Sequence, residues 1–197
     1  MNQALSKLLD DLYARSRAHD EQQPDRLDRW RNVDPAAARL LSVLVRALAP
    51  ARLLELGTSN GYSTIWLAEA ATAVGGQLTS VELDPQRSRV AAENLRAAGL
   101  ESAVDLLVAD AASVLAEAAP GSWEFIFLDA ERAAYSAYLP DLVRTLSPRG
   151  LLVVDNVLSH PDEVAEFIAR LAADGRLSHA VDETAAGLLI AVREPAG

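Results

Sequence analysis

Short hydrophobic runs alternate with helix-like stretches through the middle of this sequence. Five runs have the length and composition of buried strands, at residues 52–55, 77–82, 104–108, 123–128 and 151–154. Helical stretches separate them at residues 62–73, 85–98, 111–118 and 131–146. Repeated strand–helix units build parallel sheets with right-handed crossovers. The alternation therefore predicts an α/β fold with a doubly wound sheet and helices on both faces.

The two ends of the chain depart from this alternation. Near the C-terminus the runs LSHAVDE and GLLIAVRE are separated only by residues 184–186, and so short a connection predicts an antiparallel pair. Seven strands are expected in all, mostly parallel with an antiparallel C-terminal strand. Residues 4–18 have the periodicity of an amphipathic helix, and Asp34-Pro35 is a signal for the start of a second helix. We expect one domain over residues 1–197, with a core over 33–197 and an N-terminal segment, 1–32, that faces the acceptor or a second subunit.

Composition excludes several classes of partner. The formal net charge is −10 and no Lys/Arg cluster offsets it, which disfavours nucleic acid and anionic membrane surfaces. The sequence has no apolar run of about 20 residues and no export signal. It also contains no cysteine, which suits a reducing compartment. We therefore expect a cytoplasmic protein that acts on a small-molecule acceptor.

A glycine-containing loop, Glu55-Leu56-Gly57-Thr58-Ser59-Asn60-Gly61, follows the first strand. Gly57 and Gly61 allow close approach of a ligand, and the helix that follows offers free N–H groups to an anion. Glu82 ends the second strand at the same crevice, where its carboxylate can accept both hydroxyls of a ribose. Alone, each feature equally suits a tight turn or a solvated strand end, but together they favour an adenosine-type ligand. The spacing E-x-G-x-x-x-G differs from G-x-G-x-x-G, which makes a nicotinamide oxidoreductase the less favoured alternative.

Three oxygen-bearing side chains follow the fourth and fifth strands. Asp129 ends the run FIFLD, and Asp155 and Asn156 end the run LLVVDN. Two carboxylates and an amide oxygen form a set of hard ligands that suits Mg²⁺, Mn²⁺ or Ca²⁺. An isolated acid at a strand end more often caps the next helix, but three oxygen donors beside a cofactor loop favour a metal site.

The segments LLELGTSNGYSTIWLA and TSVELDP resemble the first two motifs of class I S-adenosylmethionine-dependent methyltransferases. The resemblance implies a Rossmann-like domain that binds S-adenosylmethionine. It implies that Glu82 holds the ribose and that Asp110 contacts the adenine, although Asp110 suits a helix N-cap equally well. The residues that it places around the rest of the cofactor are Glu55, Gly57, Ser59, Gly61, Ser63 and Asp129.

The run FIFLDAERAAYSAYLPDLVRTLSPRGLLVVDNVL resembles the catechol and caffeoyl-CoA type O-methyltransferases. That resemblance implies transfer of a methyl group to a hydroxyl of a small phenolic or catechol-like acceptor. It implies that Asp129, Asp155 and Asn156 are ligands of a divalent metal and that Asp129 is also a catalytic residue. It further implies a homodimer.

Arg132 stands where the resembled family has a lysine near the reacting hydroxyl. Arginine stays protonated, so it cannot act as a base. We expect Arg132 instead to hold an anionic part of the acceptor or to stabilise the phenolate. Two alternatives stay open: a surface arginine paired with Glu131 or Asp129, and a homologue whose catalysis is altered, metal-independent or lost. Acceptor specificity is expected from residues 19–32, Ser159 and the C-terminal strand pair.

Overall fold

The computed structural model describes residues 1–195. The helices are α1 (Gln3–Gln22), α2 (Pro35–Leu48), α3 (Tyr62–Val74), α4 (Pro85–Ala98), α5 (Ala111–Glu117), α6 (Tyr135–Thr145) and α7 (Pro161–Ala172). The strands are β1 (Arg52–Leu56), β2 (Gln77–Glu82), β3 (Val104–Val108), β4 (Trp123–Leu128), β5 (Leu146–Val154), β6 (Leu177–Asp182) and β7 (Leu188–Arg193). Short 3₁₀ turns lie at Arg26–Asp28, Glu101–Ala103 and Arg132–Ala134.

All seven strands form one sheet in the order β3-β2-β1-β4-β5-β7-β6. Strands β1 to β5 are parallel, and β7 pairs antiparallel with both β5 and β6. The chain direction around the sheet switches between β1 and β4, where open α/β sheets bind ligands beyond the carboxyl ends of the strands. The predicted fold class, with its antiparallel C-terminal strand, is confirmed.

Alternate residues of the central strands pack into two separate cores. Leu53 and Phe125 belong to the core that also holds the buried residues of α1, α2 and α3. Leu54 and Ile126 belong to the opposite core, with the buried residues of α5, α6 and α7. Because neighbouring residues of a strand point to opposite faces, strands that are apolar on both faces need helices on both sides. Helices therefore cover both faces of the sheet.

Helix α1 has a place on the core of its own chain, which its sequence had not revealed. Leu9 and Leu12 are almost fully buried. Ser16 accepts a hydrogen bond of 2.7 Å from the amide of Asn60, and the rings of Tyr13 and Tyr62 lie 5.4 Å apart. The helix thus packs beside α3 and the glycine loop, so its apolar face requires no second subunit.

The boundary between α6 and β5 corrects the sequence prediction. The helix predicted over residues 131–146 begins only at Tyr135, and Leu146 already belongs to β5. The segment Pro148-Arg149-Gly150 lies inside β5, where Arg149 has a positive φ of 63°. The pairing of β4 with β5 shifts register between Trp123 and Phe125, so the strand accommodates these residues as an irregularity.

Across the described residues 1–195, every helix is too short or too polar to cross a membrane.

Substitution of Gly57 tests how tightly the end of β1 is packed. Its φ is +104°, and an added Cβ would lie 2.1 Å from the carbonyl oxygen of Asp129. Gly99 is a matched control, since its φ is +69° but the space around it is open. Gly99→Ala should cost about 1 kcal/mol of folding free energy through backbone strain alone. Gly57→Ala should cost about 2 kcal/mol more, because the backbone of Asp129 must move. Denaturant unfolding measures both, and equal losses would contradict the close packing.

Candidate active site

A cavity of about 640 Å³ opens beyond the carboxyl ends of the central strands. Of the residues predicted for the site, those that line it are Gly57, Ser59, Glu82, Asp110, Asp129, Arg132 and Asn156. The others do not line it: Glu55, Gly61, Ser63 and Asp155 are buried. The fold thus brings part of the predicted cofactor set to one cavity with Asp129 and Asn156 of the predicted metal ligands.

Gly57 joins the two halves of this cavity. Its N–H donates to the carbonyl of Val81 at 2.9 Å, and the N–H of Asp129 donates to the carbonyl of Leu56 at 2.9 Å. Only a residue without a Cβ fits against the Asp129 backbone at this point. The loop after β1 is therefore in contact with the acid after β4.

The carboxylate of Glu82 holds the loop from the other side. It accepts hydrogen bonds from the N–H of Ser59 at 2.8 Å and from the N–H of Asp84 at 3.0 Å. A carboxylate has further acceptor positions, so Glu82 can also bind hydroxyls of a ligand. Asp110 is exposed at the rim, where it both lines the cavity and accepts a 3.3 Å hydrogen bond from Ala112 as the N-cap of α5.

Glu55 is fully buried beneath the loop. It accepts hydrogen bonds of 2.6 Å from three hydroxyls, those of Ser63, Thr64 and Ser80. Burial raises the pKa of Glu55 to about 7, although the three hydroxyl donors lower it in part. This network ties β1 to the first turn of α3 and to β2, so Glu55 and Ser63 support the loop from within the protein.

Asp129, Asp155 and Asn156 lie together at the other side of Gly57. The amide nitrogen of Asn156 donates to Asp129 at 3.1 Å and to Asp155 at 3.2 Å. Burial and the charge of Asp155 raise the pKa of Asp129 well above its ordinary value. Burial likewise raises the pKa of Asp155 to about 6. The half-buried carboxylate of Asp129 and the buried carboxylate of Asp155 therefore share one neutral amide.

Arg132 is buried, which corrects the alternative of a surface arginine paired with Glu131 or Asp129. Its side chain is only 5% exposed, and its Nε donates to Glu163 of α7 at 2.7 Å. Glu131 pairs instead with Arg31 at 2.6 Å. The Nη2 atom of Arg132 is buried with no hydrogen-bond partner among residues 1–195. The 3₁₀ turn at Arg132–Ala134 places the residue inward, in place of the predicted helix surface.

Residues 23–32, which we call the roof segment, include six residues that line the cavity. The sequence predicted that this part of the chain faces the acceptor or a second subunit, but not the contacts that hold it. Asp20 accepts hydrogen bonds from the N–H groups of Trp30 and Arg31 at 2.8 and 2.9 Å. The hydroxyl of Ser59 donates to the carbonyl of Trp30 at 2.7 Å, and Arg87 donates to the carbonyl of Arg29 at 3.0 Å. The roof segment is thus fixed to the glycine loop and to α4.

Comparison with known proteins agrees with this geometry. The family model described as O-methyltransferase matches residues 10–185. The chain belongs to the O-methyltransferase family. The match includes the glycine loop, Glu82 and the acids after β4 and β5, so the family predicted from these motifs is confirmed.

Two relatives in the O-methyltransferase family are similar to this chain over shorter stretches than the family model. The chain is 36% identical over 130 residues to a catechol O-methyltransferase of Niastella koreensis, covering 64% of this chain and 58% of that protein. It is 30% identical over 133 residues to a caffeoyl-CoA O-methyltransferase of Stellaria longipes, covering 63% and 53%. These matches span little more than half the length of either relative. The structure of the O-methyltransferase TomG from Streptomyces achromogenes in complex with SAM is 27% identical, with a TM-score of 0.78 and coverage of 99% and 91%.

The buried carboxyl of Glu55 predicts a pH dependence of stability. Its pKa is about 7 in the folded chain and 4.5 as the ordinary value, so the folded state binds the proton more tightly. The free energy of unfolding, and with it the stability, should therefore fall by roughly 3 kcal/mol as the pH rises from 4.5 to 7, and level off above that. Glu55→Gln should lack this component, whereas Glu117→Gln, at an exposed glutamate, should follow the wild type. Denaturant unfolding across this pH range measures it, and parallel curves for wild type and Glu55→Gln would contradict it.

Proposed function

We propose that this protein transfers the methyl group of S-adenosylmethionine to a hydroxyl oxygen of a small phenolic or catechol-like acceptor, with the help of a divalent metal. The observation that carries the proposal is the contact between the Gly57 loop and Asp129. It brings the predicted cofactor loop next to Asp129, which lines the same cavity and lies beside Asp155. Family membership, and a similar structure that contains SAM, support the cofactor.

The cofactor half of the cavity suits an adenosine with an attached amino acid. Glu82 offers acceptor positions for ribose hydroxyls, and Asp110 lies at the rim where an adenine would end. Gly57 and Ser59 present backbone close to the ligand, and Ser59 also carries the roof segment through Trp30. We infer that Glu55 and Ser63 keep this loop in shape without touching the cofactor.

The acid half of the cavity has the chemistry to hold a divalent metal. Asp155 is buried and Asp129 half-buried, and within residues 1–195 neither forms an ion pair, since the Nε of Arg132 is bound to Glu163. Within residues 1–195 no group of three or more acidic, His or Cys side chains has metal-binding geometry, so the amide must contribute. A half-turn of the Asn156 amide would bring its oxygen to the place where its nitrogen now bridges the two acids. Asp129, Asp155 and Asn156 would then hold the ion, and acceptor oxygens would complete the shell.

Methyl transfer to oxygen requires an ionised hydroxyl placed in line with the sulfonium methyl group. A divalent ion, when bound, lowers the pKa of a nearby hydroxyl. Arg132 cannot take the proton, but its buried guanidinium lies near Asp129 and can stabilise a phenolate. Trp30 and Arg31 of the roof segment line the same cavity. In this proposal the chain positions both substrates, and Arg132 provides electrostatic stabilisation.

Family membership supports methyl transfer over the nicotinamide oxidoreductase that the sequence left open. A homologue with lost or metal-independent catalysis remains the alternative to test. The buried and unpartnered Nη2 of Arg132 favours a working site, because an arginine that had merely replaced a lysine would more simply face solvent. The homodimer and the cytoplasmic location stay predictions.

Removal of metal is the first test of the mechanism. Methyl transfer to catechol should fall to background with a chelator and return with Mg²⁺ or Mn²⁺. Asp155→Asn should lower the metal-stimulated kcat/KM by about 10- to 100-fold. The affinity for S-adenosylmethionine should persist, since Asp155 does not line the cavity. Asp105→Asn, an exposed acid of β3, is the control. Activity that is indifferent to the chelator would overturn the metal while sparing methyl transfer.

Substitution of Arg132 tests its role beside the acceptor. Arg132→Met keeps the aliphatic stem but removes the charge, and should lower kcat/KM for catechol by about 100-fold. Arg132→Lys should retain part of the activity, because it keeps a positive charge. Arg170→Met, at a half-exposed arginine of α7, should leave the kinetics unchanged. Wild-type kinetics in Arg132→Met would exclude the proposed stabilisation of the phenolate.

A further inference from the structure

Three arginines that line the cavity, Arg26, Arg31 and Arg132, interact with two glutamates. Arg31 pairs with Glu131 at 2.6 Å, and Arg132 pairs with Glu163 at 2.7 Å. Arg26, which belongs to the roof segment, shares Glu163 with Arg132, at 3.7 Å from its other oxygen. Among the described residues, Arg26 therefore has no glutamate of its own.

Arg26 is held only loosely. Its 3.7 Å separation from Glu163 is too long for a hydrogen bond, and its guanidinium has no hydrogen-bond acceptor among residues 1–195. The side chain is 42% exposed and lines the cavity. A second roof arginine, Arg29, also lines the cavity, and its Nε donates to the carbonyl of Gln23 without an ion pair in the described residues. The underside of the roof segment therefore offers free donors to the cavity.

Arg132 supplies an independent observation on the opposite wall. Its guanidinium is more than nine-tenths buried, yet Nη2 has no partner in the described chain. A buried charged donor without an acceptor is costly, and structures rarely keep one unless a ligand completes it. Arg26 and Arg132 both contact Glu163, so the loosely held guanidinium and the incomplete donor belong to one cluster.

We propose that the methyl acceptor carries a carboxylate in addition to its hydroxyls, and that Arg26 selects for it next to Glu163 and Arg132. This inference rests on the proposed function and names its substrate class. The planar fork of an arginine fits the two oxygens of a carboxylate, and an exposed partner such as Glu163 can move aside.

The test compares 3,4-dihydroxybenzoate with its methyl ester, which keeps the diol and removes the charge. Calorimetric titration of the full chain, loaded with Mg²⁺ and S-adenosylhomocysteine, measures both affinities without turnover. The acid should bind about 10-fold more tightly than the ester. Arg26→Gln should abolish this preference through the acid alone, and unchanged ester affinity will show that the roof segment is intact. Arg17→Gln, which removes an exposed arginine of α1 paired with Glu21, should keep the preference.

Equal affinity of the acid and the ester in the wild type would overturn the proposal, as would a preference that survives in Arg26→Gln or an absence of binding by either compound. Methyl transfer, measured in parallel, separates this outcome from the proposed function. Binding that prefers the acid without turnover would leave the carboxylate site standing and reject the reaction. Equal affinity for the acid and the ester, together with methylation of both, would reject the carboxylate site and support the proposed reaction.

Discussion

The close approach of Gly57 to the carbonyl of Asp129 is the constraint on which the rest of the site depends. It joins the carboxyl ends of β1 and β4, the two strands between which the chain direction switches. Under the proposed function, an adenosine-type cofactor bound on the loop would lie next to the acids after β4 and β5. A methyl donor and an oxygen nucleophile must meet within bonding distance, and this backbone contact would hold their proposed sites together before either is bound.

The charged side chains around this contact differ in how fully hydrogen bonds satisfy them. Glu55 is satisfied by three hydroxyls, which leaves it a structural support. Asp129 and Asp155 share only one amide, and burial raises the pKa of both. Arg132 lies beside them but is drawn to Glu163. The satisfied acid holds the loop, whereas the unsatisfied acids and arginine are those that a metal and an acceptor would complete.

The sequence predicted the sheet well because its strands are defined by local composition. The bounds of β2, β3 and β4 agree with the hydrophobic runs, and the acids at the strand ends follow from parallel pairing. The predicted start of α6 and the predicted length of β5 were wrong, since a 3₁₀ turn and a register shift arise from packing that no local signal encodes.

The sequence predicted that residues 1–32 face the acceptor or a second subunit, but it did not predict the contacts that hold the roof segment. The roof segment has no periodicity, and its position comes from side-chain bonds to its backbone by Asp20, Ser59 and Arg87. The partner of Arg132 could not be foreseen for the same reason, because Glu163 is 31 residues away along the chain. Strand-end residues are predictable from topology, whereas contacts between distant side chains are determined only by the folded structure.

The most direct test of the account is the position of a metal in crystals grown with Mn²⁺ and S-adenosylhomocysteine. Anomalous scattering locates the ion without assuming its ligands. The account predicts one Mn²⁺ between Asp129, Asp155 and Asn156, with the nucleoside on the Gly57 and Glu82 side of the same cavity. The absence of Mn²⁺ from these residues while the nucleoside is bound, or its presence only at other acids, would contradict metal-assisted methyl transfer at this site.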